Sequence, residues 1–449
     1  MDSTQPKLRV AIVGGGIGGL TLAVALHKLC GSRFQVDIYE AAHTLTEIGA
    51  GIGVWPRVWE VMEALDLASD LSKISNDAGK EGQPAEFRKS DYTVKGGSIS
   101  EGLVSSPSKL AGARPFHRAQ FQAILAAHLP SDPSYTTHFR KRLASYEDSS
   151  VDHTAIDLTF TDGSQVGCDL LIGCDGIKSV VRSTLYRPLA HPADPIWSGS
   201  VAYRSLIPRD VLEKIDPEHP SLTKAVVACG HNKHIIAFPI AQATLINIVC
   251  FVSQPEQEGT KYDGAWVREA SKQELLDAYA GWEPTMIELL SCAEKVTLWA
   301  INTIPPLPTY VGERVALVGD AAHAMTPHQG SGAGQAIEDG FVLASLLADP
   351  RTNRQTLPRV LQIYDAIRRP FSQDIMQRSR NSGRLYEFGL SPTESEGDVV
   401  GVTGHSAADD IARRSAALQR MLSWAVETSV MDDRDRALQA LERVTEGLA

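Results

Sequence analysis

The first strongly apolar run, LRVAIV at residues 8–13, is too short for a buried helix and ends on glycines, so it predicts a buried strand. IGGLTLAVALHKL follows, apolar on nearly every side and long enough for a buried helix, and FQVDIYE then alternates as a second strand. The three together predict a βαβ unit. Residues 54–67 read as helix, and a further helix is expected over residues 118–129, where Phe121, Leu125 and Leu129 recur every fourth position. Residues 73–112, rich in Gly, Ser and Lys, read as irregular and as part of a different layer.

IDLTF and CDLLIGCD predict strands closing at Asp175, and a second irregular, Pro-containing region begins near Arg187. Over residues 197–255 the period changes to two: SGSVAYRSLI, AVVACG, HIIAFPI and TLINIVCFV are short strands separated by turn residues. ERVALVGD restores a buried strand, and HQGSGAGQAIEDGFVLASLL is a glycine-rich turn entering a helix. From about Pro370 the pattern is helical, including SAALQRMLSWAVETSV and DRDRALQALERVTEGL. The fold class expected is α/β: a Rossmann-like domain, a β-sheet domain inserted into it, and a helical C-terminal segment.

Composition narrows the function. With 449 residues, 43% hydrophobic and 22% charged, the chain is long enough for two or three packed domains and carries no sign of disorder. Its formal charge of −11 disfavours nucleic acid and anionic membranes as partners, because both require clustered Lys and Arg. The six cysteines lie mostly in apolar runs without a C-x-x-C pair, which favours buried thiols and offers no metal site or redox dithiol. MDSTQPKLRV lacks the features of a secretory signal and no stretch approaches a membrane span, so a cytoplasmic protein is expected, as monomer or homodimer.

Gly14-x-Gly16-Ile17-x-Gly19 follows a strand and opens a helix, so its backbone can approach a pyrophosphate and offer it unpaired N–H groups. Glu40 ends the next strand, where a carboxylate can accept bonds from a ribose diol. This pattern alone fits NAD, NADP and FAD sites alike. Two further aspartates stand at strand ends, Asp175 in CDGIKSVVR and Asp320 in VGDAAH, and paired strand-end carboxylates point to a ligand crevice; singly, each would read as a turn or capping residue. Arg118 begins a predicted helix, where a cation is disfavoured unless an anion lies nearby; the alternative is a surface arginine. Gly330, Gly332 and Ala333 open the late helix with N–H groups able to meet negative charge on a flat ring held against bare backbone.

Together, VGGGIGG, CDGIKSVVR and VALVGDAAHAMTPHQGSGAGQAIEDG resemble the single-component flavin aromatic hydroxylases, the group of para-hydroxybenzoate and salicylate hydroxylases, over most of residues 7–345. The resemblance implies a tightly held FAD whose ADP half meets Gly14 to Gly19 and Glu40, whose ribityl chain meets Asp320, and which Arg118 contacts. It implies a dual role for Asp175 and Gly176 toward FAD and NAD(P)H. The FAD-binding domain would then comprise residues 1–75, 112–189 and 300–370, the substrate domain 76–111 and 190–299, and the helical segment 371–449. With a single strand-linked GxGxxG, NADH or NADPH is expected as a transient reductant and O2 as co-substrate.

Electrophilic oxygen transfer favours an electron-rich ring, so a base near a phenol would help. His234 is the first candidate: it shares a strand face with Ile236 and Phe238, ahead of Pro239, and the H-x-x-x-aromatic-Pro run resembles the substrate strand of hydroxybenzoate and hydroxynicotinate hydroxylases, although many relatives carry tyrosine at the Phe238 position. A structural histidine is equally open. Tyr203 and Arg204 lie on a strand where related hydroxylases face substrate, and Arg204 could bind a carboxylate or sit in a surface ion pair. Pro327 and His328 follow the Gly319-Asp320 motif where the family's proline approaches the flavin; His328 either lines the pocket or caps the turn.

The expected reaction is NAD(P)H- and O2-dependent hydroxylation of a small phenolic acid. The short N-terminus and SWAV tail resemble salicylate hydroxylases, implying attack at the carboxyl-bearing carbon with release of CO2 and catechol. Another phenolic, hydroxynicotinate or polyketide substrate is the alternative within the family, and a flavin-dependent reductase or halogenase the alternative outside it. WAINTIP at residues 299–305 does not fit the W-x-W-x-I-P run of flavin halogenases.

Overall fold

A computed structural model describes residues 7–45, 51–75, 83–91, 105–110, 113–148, 155–189, 192–391 and 407–446. Its nucleotide-binding half is a five-stranded parallel sheet in the order Val315–Leu317, Leu170–Gly173, Leu8–Val13, Phe34–Glu40, Tyr135–Phe139. Parallel strands covered on both faces must be apolar nearly throughout, and Val10 to Val13 and Leu170 to Ile172 are all buried. The helices Ile17–Cys30 and Gly332–Ala348 pack closely on one another: a Cβ added at Gly18 would stand 3.1 Å from Ala336 Cβ, and one at Gly340 3.3 Å from the Leu22 backbone.

The second sheet has eight strands in the order Val267–Ala270, Val296–Thr303, Ile196–Pro208, Leu245–Ser253, Lys233–Ile240, Ala225–Gly230, Gln83–Lys89, Ser105–Leu110. It is antiparallel except where Ala225–Gly230 meets Gln83–Lys89. Alternation assigns its two faces different work. Tyr203, Ile207, Ile235, Ala237, Ile248 and Cys250 point to one side and pack with the helices Lys272–Ala278 and Pro284–Ser291. Arg204, Ile236, Phe238, Val249 and Phe251 point to the other and line a cavity. The strands Gln83–Lys89 and Ser105–Leu110 fall within a region expected to be irregular; they have weak apolar alternation, and pairing with Ala225–Gly230 supplies the strand geometry that local sequence does not. Residues 76–82 and 92–104 of that region lie outside the described residues.

The predicted helix over residues 118–129 spans Arg118–Ala127, and that over 54–67 is Pro56–Ala64, preceded by the short strand Gly51–Val54. The C-terminal part is helical: Leu357–Tyr386, Ala407–Met421, Trp424–Glu427 and Val430–Glu446.

A buried charge cluster joins four helices. Arg57 donates to Glu338 at 3.0 Å and to Asp433; Arg368 donates to Asp339 at 2.9 Å, Glu338 at 2.8 Å and Asp433 at 3.3 Å. None of these five side chains is more than 2% exposed. Burial would weaken the Arg368 cation, but the facing Glu338, Asp339 and Asp433 carboxylates hold its pKa above the usual arginine value. Replacing Arg368 by Met removes a buried cation shared by Glu338, Asp339 and Asp433, and is expected to lower unfolding free energy by about 3–5 kcal/mol in urea titration. Arg436→Ala, which removes an exposed partner of Asp433, should cost under about 1 kcal/mol. Equal losses for the two variants would show that the cluster contributes no more than a surface pair.

Candidate active site

The glycine loop forms because nothing larger fits. Gly14 has φ +109°, and a Cβ there would stand 2.2 Å from the Cys174 carbonyl oxygen; one at Gly19 would stand 2.0 Å from the Gly14 oxygen. The loop is tied down by Gly14 N–H donating to the Tyr39 carbonyl at 2.9 Å and by Gln122 Nε2 donating to Gly15 O at 3.2 Å. The helix Ile17–Cys30 then starts with no side-chain cap and no acidic residue in its first turn, leaving its N–H groups to an anion from outside.

These N–H groups open on a cleft of about 510 Å³. Gly14, Gly16, Ile17, Glu40, Arg118, Asp175, Gly176, Asp320, Gly330, Gly332 and Ala333 all line it, so segments more than 300 residues apart share one surface. Gly19 alone of the expected cofactor residues does not; its place is the contact with Gly14. The cleft runs from Tyr39, Glu40 and Lys141 past the glycine loop to Asp320 and the turn Pro327–Gln329.

The carboxylates in the cleft differ in what they already hold. Glu40 accepts from Gly15 N–H at 2.8 Å and Ala42 N–H at 2.7 Å, bracing the loop as it faces the cleft. Asp175 accepts from Ser179 and from Val180 N–H at 2.7 Å, capping the helix Val180–Tyr186; burial raises its pKa above the usual carboxylate value despite those bonds. Gly176 beside it has φ +73°. Asp320 is exposed to the cleft, with no side-chain hydrogen bond among the described residues. Burial lowers the Arg118 pKa, and the Asp320 charge works against that shift.

The residues suit FAD: uncapped N–H groups for a diphosphate, a cation beside them, a cleft carboxylate for a hydroxylated chain, and a second uncapped helix, Gly332–Ala348, at the far end. Gly330, at φ +61°, turns the backbone so that it lines this cleft and a second cavity together.

That second cavity, about 210 Å³, adjoins the cleft through Gly53, Pro327 and Gly330. Its walls are mainly apolar, with Arg204, Asn247 and His328 the polar exceptions beside Gln329. Arg204 lies over Trp299 at 5.3 Å and has no carboxylate partner among the described residues. Burial and then the like charge of Arg118 pull its pKa down to about 10. His328 is buried with Nδ1 unpartnered; burial, reinforced by the fields of His234 and Arg380, holds its pKa well below the usual imidazole value, so the ring is neutral at neutral pH.

Two expectations are corrected. Tyr203 points to the opposite face of the sheet from Arg204, where its hydroxyl meets Glu274 at 3.0 Å; alternation makes it impossible for both neighbours to face the cavity. His234 shares the cavity-side face with Ile236 and Phe238 but does not line the cavity: it stacks on Phe251 at 4.3 Å and gives Nδ1 to Glu387 at 2.9 Å. His328, 5.1 Å from it between ring centres, stands at the cavity instead.

The cavity has a third wall, built by the C-terminal helices. Tyr386 and Leu422 line the cavity, and Trp424 Nε1 donates to Gln329 Oε1 at 3.2 Å, so the C-terminal helices hold the pocket turn. Local pattern carried no signal for this, because the partners are about a hundred residues apart. Gln122, one helical turn beyond Arg118, was legible as a same-face neighbour.

Asp320→Ala removes a charge-assisted acceptor worth about 1.5–3 kcal/mol, so flavin affinity should fall about 10- to 100-fold and the protein should purify largely colourless. A fully yellow preparation with unchanged flavin affinity would contradict this placement.

Comparison with known proteins agrees with the geometry. Residues 7–379 match the family described as FAD binding domain. Two salicylate hydroxylases of Pseudomonas putida are 38% and 36% identical, over 86% and 92% of this chain and 87% and 92% of theirs. A 6-methylsalicylate 1-monooxygenase of Aspergillus terreus is 32% identical over 85% of this chain and 84% of its own. A solved salicylate hydroxylase substrate complex superposes with a TM-score of 0.78 at 31% identity, covering 96% of this chain and 98% of the other. The chain therefore belongs to the FAD binding domain family and, within it, to the flavoprotein monooxygenases.

Proposed function

We propose that the protein hydroxylates a small phenolic acid, salicylate foremost, placing oxygen on the ring carbon that bears the carboxylate and releasing CO2 and catechol. The observation that carries this reading is Arg204: a cation without a carboxylate partner among the described residues, set in a largely apolar cavity next to the flavin cleft. A desolvated guanidinium recovers most when a carboxylate pairs with it. The cavity size agrees, since about 150 Å³ suffices for benzene and 210 Å³ leaves room for two small substituents.

Bound FAD, reduced by NADH or NADPH and supplied with O2, provides the electrophilic oxygen. The chain's own part is to hold and polarise the ring. Arg204 fixes the carboxylate, which orients the ring relative to Pro327 and Gly330. Neutral His328, a polar side chain in the cavity wall, is the group assigned to accept the hydrogen bond of the phenol and draw electron density onto the ring. His234, held by Glu387, stands beside the His328 ring. Phe238, Phe251 and Ile236 exclude water.

The test follows NADH and NADPH oxidation with O2 uptake across salicylate, 3- and 4-hydroxybenzoate, 6-hydroxynicotinate and unsubstituted phenol. Salicylate should stimulate both most strongly and yield catechol. Arg204→Gln should raise KM for the acids about 30-fold, the equivalent of about 2 kcal/mol, and leave phenol nearly unchanged. Equal losses for phenol and for the acids would remove the carboxylate role, and no stimulation by any phenol would sink the reading.

A further inference from the structure

The long helix Leu357–Tyr386 carries a glycine at 383, fully inside its last turns and buried. Glycine is among the poorest residues for a helix interior, so its presence calls for a steric reason. A Cβ placed at Gly383 would stand 2.4 Å from His328 Cδ2, 2.5 Å from Nε2 and 2.9 Å from Cε1. All three are flat ring atoms, closer than non-bonded carbon and nitrogen can come. The imidazole is seated directly on the bare backbone of this helix.

Neither backbone is free to retreat. On one side of His328, Ser379 Oγ donates to the Thr326 carbonyl at 2.5 Å; on the other, Gln329 Nε2 donates to Ser382 Oγ at 3.0 Å. The ring is confined laterally as well. Phe251 stands 4.8 Å and His234 5.1 Å from it, and His234 is itself fixed by Glu387, whose N–H donates to the Gly383 carbonyl at 3.1 Å. The remaining open side is the cavity.

We infer that Gly383 is a positioning residue that sets the depth of the aromatic pocket: it gives the His328 ring a recess, and any side chain there drives the imidazole into the cavity. One helical turn thus arranges both histidines, Gly383 by yielding space to His328 and Glu387 by bonding His234. The pocket contact of His328 rests on the function proposed above; the seating of its ring does not.

The test compares holoenzyme carrying Gly383→Ala, His328→Asn, and both. In ligand-free protein with labelled histidine Cε1, the His328 signal, identified by its loss in His328→Asn, should shift in Gly383→Ala. Flavin content should stay near wild type, and the melting temperature should fall by only a few degrees. Salicylate affinity, read from perturbation of the flavin spectrum, should weaken about tenfold in Gly383→Ala, whereas adding Gly383→Ala to His328→Asn should change it less than twofold. If Gly383→Ala does not fold, the double variant, which relieves the clash, should. An unmoved His328 signal, or an equal loss of affinity with and without the His328 ring, overturns the inference. A shifted signal in a protein that binds no phenolic acid, wild type included, upholds the seating and counts against the proposed substrate.

Discussion

The Asp339 carboxylate is the point on which the two halves of the site depend. One oxygen accepts from Gly319 N–H at 3.0 Å and meets His323 Nε2 at 2.6 Å; the other accepts from Arg368 at 2.9 Å. Burial would raise its pKa, but His323 and Arg368 hold it below the usual carboxylate value. The bond to Gly319 fixes a left-handed turn, φ +64°, that sets Asp320 at the cleft. The bond to Arg368 fixes the long helix that carries Gly383, Tyr386 and Glu387 to the aromatic cavity. Well-packed apolar side chains hold helices together as firmly as buried ions do, so stability alone is a weak reason for this cluster. A hydrocarbon has no acceptor for the Gly319 N–H, and there the carboxylate has no apolar substitute.

The charge arrangement fits an acidic protein that must attract anions to one place. The chain carries a formal charge of −11, yet the two adjoining cavities present Arg118 and Arg204, close enough for Arg118 to depress the Arg204 pKa. Two like charges in a poorly solvated region raise each other's cost, and nearby anions offset it, as the Asp320 charge does for Arg118.

The βαβ unit was legible almost residue by residue: the strands Leu8–Val13 and Phe34–Glu40 and the glycine loop are specified by local pattern and by backbone geometry that only glycine tolerates. Alternation also showed correctly that His234, Ile236 and Phe238 share a face. Which face meets the cavity, and how deep along the strand it reaches, depends on the layer packed against it, and that layer is distant in sequence. For that reason Tyr203 fell on the wrong side and His234 one ring too deep. Tyr386, Leu422 and Trp424 reach the pocket through helix packing, which leaves no trace in a local window. Strands such as Gln83–Lys89 form because a neighbour offers a ladder, not because their own residues demand one.

The unpartnered nitrogens around the pocket sharpen the division of labour between the two histidines. A buried ring nitrogen without a hydrogen bond costs about 1–3 kcal/mol, and both His234 Nε2 and His328 Nδ1 lack one. The His328 ring borders the cavity. For His234 the ring is sealed between Phe251 and Tyr386, and its Nδ1 is committed to Glu387, which also accepts from Ser253 at 2.9 Å. A group so enclosed cannot exchange a proton with a substrate it does not reach. Its contribution is the shape and field it imposes on His328, and the buried Glu387 and Ser253 that fix it belong to the pocket as much as the residues that line it.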